Sequence, residues 1–118
     1  MSNKQKKKNE AFLCGRLLAI LEGLRMETEP GSSAVKHKSS YIVSASTRPG
    51  MVLPIFLNRA KDQMKKSAIG EKYNMRIDEI LKELDYKIPD TIFISEVPSF
   101  FNGYFKQKKA MAGKSKKA

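Results

Sequence analysis

Seven bases crowd one stretch of the sequence: between residues 34 and 66 stand Lys36, Lys38, Arg48, Arg59, Lys61, Lys65 and Lys66, against the single acid Asp62. Cations at this density suit one chemistry above others. They neutralise phosphates and release the counterions condensed on a nucleic-acid backbone, which gives binding that is strong at low salt and indifferent to sequence. Lys106, Lys108 and Lys109 extend the set near the C-terminus as second choices. Each of these ten residues is expected to contact a phosphate, and none to read a base. Basic ends alone could equally serve solubility; the cluster in the middle of the chain favours a polyanionic partner.

Groups suited to catalysis are scarce. No glycine-rich phosphate loop, HExxH or GxSxG pattern occurs. His37 lies between Lys36 and Lys38, where an exposed histidine beside phosphate-binding lysines is a simpler reading than a general base. Cys14 falls inside an apolar helical stretch with no base in pattern, so it reads as a small buried residue rather than a nucleophile. One cysteine forms no internal disulfide, and one cysteine with one histidine builds no four-ligand protein zinc site. Asp78, Glu79, Glu83 and Asp85 resemble a carboxylate cluster, but Arg76 and Lys82 interleave with them as solvated helical partners. The expectation is a protein that is not an enzyme and takes no metal, cofactor or small-molecule substrate.

The 118 residues suit one folding unit. Ten of the eleven excess positive charges sit in residues 1–8 and 106–118, which contain no acid. The body between them is nearly neutral but graded. Residues 9–33 carry two bases and four acids, residues 34–66 seven and one, and residues 67–105 four and seven. No apolar run approaches the roughly 18 residues of a spanning helix, and the basic start lacks a cleavage site, so neither membrane nor export is expected. A cytoplasmic location follows as the expectation.

Hydrophobic spacing supplies the elements that must carry these groups. Asn9 to Glu27 reads as a helix with a stripe of Leu13, Leu17, Ile20, Leu21 and Leu24; Gly15, Ala19 and Gly23 form a second line without bulk where another helix approaches closely. Arg16 and Glu22 are expected elsewhere on this helix, solvated. Thr28 to Lys38 reads as a mobile polar linker. Tyr41-Ile42-Val43 is short for a strand and is read as helix. Thr47-Arg48-Pro49 caps a helix running to about Lys66, with Val52, Ile55, Phe56, Ala60 and Met64 inward and Pro54 tolerated near its start. Glu71 to Asp85 is the clearest helix, with Tyr73, Ile77, Ile80, Leu81 and Leu84 on one side. Ser95 or Asp90 is expected to cap a last helix with Val97, Phe100, Phe101, Tyr104 and Phe105; aromatics at that spacing read as core before they read as base-stacking groups. The predicted fold is all-α: a compact bundle of four to five helices over residues 9–110, between basic disordered tails at 1–8 and 111–118.

Three stretches together resemble a known family. Residues 11–22, with Gly15-Arg16-Leu17 and Glu22, resemble the "YxxGRLxAxxE" opening of the C-terminal region of the type I-C CRISPR Cascade large subunit. Tyr41 to Pro49 followed by Leu53-Pro54 and Leu57 resembles its "YFxxASxxP…FPxLL" stretch, and Ile88-Pro89 with Phe100 to Gln107 its "FP…FxxGYYxQ" ending. Arg48, Val97-Pro98 and Asn102 depart from that pattern. Because Met1 stands just before the first motif, the chain looks like the separately translated small subunit made from an internal start. The resemblance implies a helical bundle in several copies, held among the backbone and large Cascade subunits, that supports crRNA-guided target DNA in the R-loop without catalysis. On that reading Arg16 and Tyr104 are packing or subunit-contact residues. The competing readings are a freestanding basic helical nucleic-acid-binding protein, ribosome-associated or of helix-turn-helix type, and a protein-interaction module whose lysines only aid solubility.

Overall fold

Ala11, Cys14, Leu17, Leu18, Ala19, Ile20, Leu21 and Leu24 leave almost no side of the first helix free for water, and a helix that is apolar all round must be covered all round. A computed structural model, which describes residues 3–28, 38–65 and 68–116 with side chains over 5–28, 41–65 and 68–112, shows how it is covered. The chain forms α1 (Asn3–Thr28), α2 (Lys38–Thr47), α3 (Pro49–Lys65), α4 (Gly70–Glu83) and α5 (Val97–Lys116), with a 3-10 turn at Ile94–Glu96. No strand occurs among the described residues. α1 is the axle: it touches every other helix, and all eight residues named above are buried. Each large aliphatic among them contributes about 1.5–3 kcal/mol by leaving water.

Around α1 the order is α5, α2, α3, α4, since α2 touches both α5 and α3 while α4 packs on α1 and α3. α5 runs parallel to α1. A Cβ on Gly15 would stand 1.9 Å from the Phe100 carbonyl oxygen, and one on Gly103 2.1 Å from that of Phe12. The two glycines therefore let the helices approach backbone to backbone, as the small-residue line in α1 predicts. α2 folds back on α3 through an edge-to-face pair, Tyr41 on Phe56 with centroids 5.1 Å apart. α4 buries Tyr73, Ile77, Ile80 and Leu84 as its spacing predicts. It ends at Asp85 and Tyr86, both with positive φ, where the Tyr86 N–H donates to the Leu81 carbonyl.

Several expectations are corrected. The ends are not disordered tails where described: α1 reaches back to Asn3 and α5 runs on to Lys116, so the lysines there ride on helix. The inward side of α3 is Pro49, Leu53, Ala60 and Gln63, with Val52, Phe56 and Met64 half-buried; Ile55 is exposed because α2 and α4 leave that side open. Phe105 is likewise exposed, leaving Phe100 and Tyr104 as the inward pair of α5. Neither Ser95 nor Asp90 caps α5. The Glu96 N–H instead donates to the Phe93 carbonyl at 2.8 Å, closing the 3-10 turn, and Pro98 follows in the first turn of α5, where its missing N–H costs nothing. Residues 29–37 of the expected linker, which include Lys36 and His37, and Lys66 lie outside the described residues.

Candidate nucleic-acid interface

Charge is sorted by helix. The helices α2, α3 and α5, with the Arg48 corner between the first two, hold ten bases and one acid, whereas residues 70–96, which include α4, hold four bases and seven acids. Since α5, α2 and α3 are successive neighbours around α1, the base-rich helices adjoin one another, and the acids gather on α4 and the loop after it. No folding requirement asks for this, because most of these side chains stand in solvent.

The expected contact residues divide on inspection. Arg59, Lys61 and Lys65 are exposed on α3, and Lys61 and Lys65 share a ridge at i, i+4. Arg48 is exposed at the corner, where its N–H donates to the Ser44 carbonyl and its carbonyl accepts the Met51 N–H. Lys106 and Lys109 are exposed on α5, the former with Nζ 5.9 Å from the Phe12 ring centre. Lys38 opens α2, its side chain outside those described. Lys108 differs from the rest. It turns inward, its Nζ 3.7 Å from Glu22 Oε1 and 3.4 Å from the Tyr104 hydroxyl. A phosphate at Lys108 would have to compete with a carboxylate that is itself 6% exposed, so of the expected contacts this one is also tied into the fold.

Glu22 departs from its expected place. Expected in solvent, it is buried against α5 and α2: the Tyr104 hydroxyl donates to its Oε1, and Tyr41 also hydrogen-bonds to it. Burial first, then Glu22, hold the hydroxyls of both tyrosines well above their ordinary range. The signal that it would be inward lies in its neighbours, for Ile20, Leu21 and Leu24 leave no wet face at that level. Arg16 makes the packing contact expected of it, its Nε donating to Gln107 Oε1 at 3.0 Å. Burial pushes the Cys14 thiol up to about 12, with Glu10 adding to the effect, so no thiolate nucleophile exists there near neutrality. Asp78, Glu79, Glu83 and Asp85 are exposed, and no three His, Cys, Asp or Glu residues gather into a cation site among the described residues. No described helix is long and apolar enough to cross a membrane.

A search of the curated proteins finds no match to the chain. The sequence does match, over residues 1–112, the family described as CRISPR-associated protein (Cas_Csd1). That span takes in the first four helices and α5 as far as residue 112, with nearly every basic residue discussed above. The chain belongs to the Cas_Csd1 family of CRISPR-associated proteins.

Proposed function

We propose that the chain is a non-catalytic small subunit of a type I-C Cascade, where it holds DNA backbone to stabilise the R-loop and bridges neighbouring subunits in the cytoplasm. The observation that carries this reading is the sorting of ten bases and one acid onto three adjoining helices and their corner. In RNA-guided recognition, base pairing reads the sequence, and protein contacts to the backbone tip a nearly balanced strand exchange. Cations on a rigid helical side are sufficient for that task and require no active site. The partners are the backbone and large subunits, further copies of this chain, and crRNA-guided target DNA.

The test uses the assembled complex. Changing Arg59, Lys61 and Lys65 together to Glu is expected to weaken R-loop formation alike on all targets and to lower the salt slope by about one unit per lost phosphate contact. An unchanged slope overturns the assignment of contacts. A complex that opens duplexes equally well without this chain overturns the function itself, and recovery of the chain from its host with ribosomes or free promoter DNA favours a freestanding protein instead.

A further inference from the structure

The loop between α4 and α5 plays no part in contacts to the backbone, yet it carries Ile94, 87% exposed, beside Phe93, 55% exposed. The loop is anchored at both ends. Ile92 is buried and its N–H donates to the Thr47 carbonyl at 2.9 Å, while the 3-10 turn ties Glu96 back to Phe93. Phe93 is therefore a fixed ring held out in water, an arrangement that packing alone does not favour. A cation lies against it: the Lys7 ammonium stands 4.1 Å from the ring centre, and Lys8, the next residue of α1, is exposed. An exposed ring near cations is how single strands are held without sequence preference: the base stacks on the ring and its phosphates meet the charges.

The geometry points to Phe93, flanked by Ile94, as a stacking platform for an unpaired base of single-stranded nucleic acid, with Lys8 in the neighbouring groove meeting the strand's phosphates. Glu10 and Asp90 line the pocket beside Lys7 and Phe93, and they turn phosphate away from it. The groove holding Lys8 with Gln5, Ser99 and Asn102 is the more favourable path, since its one acid, Glu96, is buried. A protein partner would need a broader apolar patch than two side chains hemmed in by charge. The platform rests on the reading that this chain binds nucleic acid, and adds a contact to the base that backbone cations do not make.

The full chain is tested against two labelled 20-mers, oligo-dT and an oligomer of the same length made of abasic sites. Phe93→Ala is expected to bind oligo-dT about tenfold more weakly, within the range of one lost stacked base, and the abasic strand unchanged. Phe93→Trp, which would be the only tryptophan in the chain, is expected to keep the affinity and lose emission as oligo-dT binds. Lys61 and Lys65 changed to Glu weaken both strands together. If Phe93→Ala weakens both strands equally or neither, or if the tryptophan emission is unmoved by saturating oligo-dT, the platform is overturned and the backbone contacts stand. If the unaltered chain binds neither strand, both readings fall.

Discussion

Glu22 has Arg25 within a turn and looks, in the sequence, like one more solvated acid of a surface helix. Its burial follows from a property that no single residue displays, namely that α1 is covered on every side between Ala11 and Leu24. Once there, it draws Tyr104, Tyr41 and Lys108 toward it, and the two tyrosines with Cys14 set the alkaline limit of the fold. Every shift in this group is upward: Cys14 rises from 9.0 to about 12, and both tyrosines rise above their ordinary 10.0. A raised value in the folded state means that stability is fully present below the unfolded value and is lost as pH climbs toward the folded one. Urea unfolding is therefore expected to give a constant free energy from pH 7 to about 9, a fall beginning with Cys14, and a steeper fall above about 10. Tyr104→Phe should cost about 1.5–3 kcal/mol at pH 7, the range for a hydrogen bond to a charged group, and should make the decline above pH 10 shallower. A Tyr104→Phe profile parallel to that of the parent would remove Tyr104 from this account. Lys108 teaches the converse lesson: its type and neighbours match those of Lys106 and Lys109, and only the carboxylate 86 positions earlier in the chain separates its surroundings from theirs.

Helices were legible wherever one side was apolar and the other charged. α4 is the clearest case, its buried residues lying where a period of 3.6 puts them. The ends were less so. Lysine runs carry no apolar period, so residues 3–8 and 111–116 looked like tails although they continue helices whose hydrogen bonds were already nucleated. The start of α5 was hidden by Val97-Pro98, where a 3-10 turn stands in for a side-chain cap. The line Gly15, Ala19, Gly23 was read correctly as a path for another helix, and the packing of α1 on α5 permits a contrast within it. Gly15→Ala places its methyl against the fixed backbone of Phe100 and is expected to cost more than about 2 kcal/mol despite the gain in helix propensity. Gly23→Ala meets the Tyr73 hydroxyl at 3.2 Å, a side chain with room to shift, and should lie within about 1 kcal/mol of the parent. Equal losses in thermal unfolding at the two sites would mean that the close approach is not where it is drawn.

Over the whole molecule, the gradient of charge along the sequence becomes a gradient across space, and that step was invisible before the order of helices was known. The candidate interface was legible as a list of cations, of which Lys38, Arg48, Arg59, Lys61 and Lys65 fall on α2, α3 and their corner; that α5 adjoins α2 required the fold. Two exposed apolar spots lie in oppositely charged settings. Met75 on α4 has Glu71, Asp78 and Glu79 a turn to either side, and Val43, Met51 and Ile55 stand out on α2 and α3 near Arg48 and Arg59. Spots of opposite charge on different sides of one chain suit a head-to-tail contact between copies. Sedimentation is expected to show association at low salt that weakens at 0.5 M salt, where screening shortens to roughly 4 Å, and that Glu79→Lys diminishes. A chain that remains monomeric at every salt concentration would exclude this contact.

The glycine-mediated seating of α5 on α1 also has a mechanical meaning. Two helices whose main chains interlock at Gly15 and Gly103 cannot slide or roll past each other without lifting apart, so they act as a stiff keel. α2, by contrast, has no such backbone interlock: it reaches its neighbours through side chains, the Tyr41–Phe56 ring pair, buried Ala45 and the Glu22 carboxylate, and through a bond from Ile92. Any accommodation to a crowded assembly must therefore come from the outer helices, while the keel delivers a push at one pole undiminished to the other.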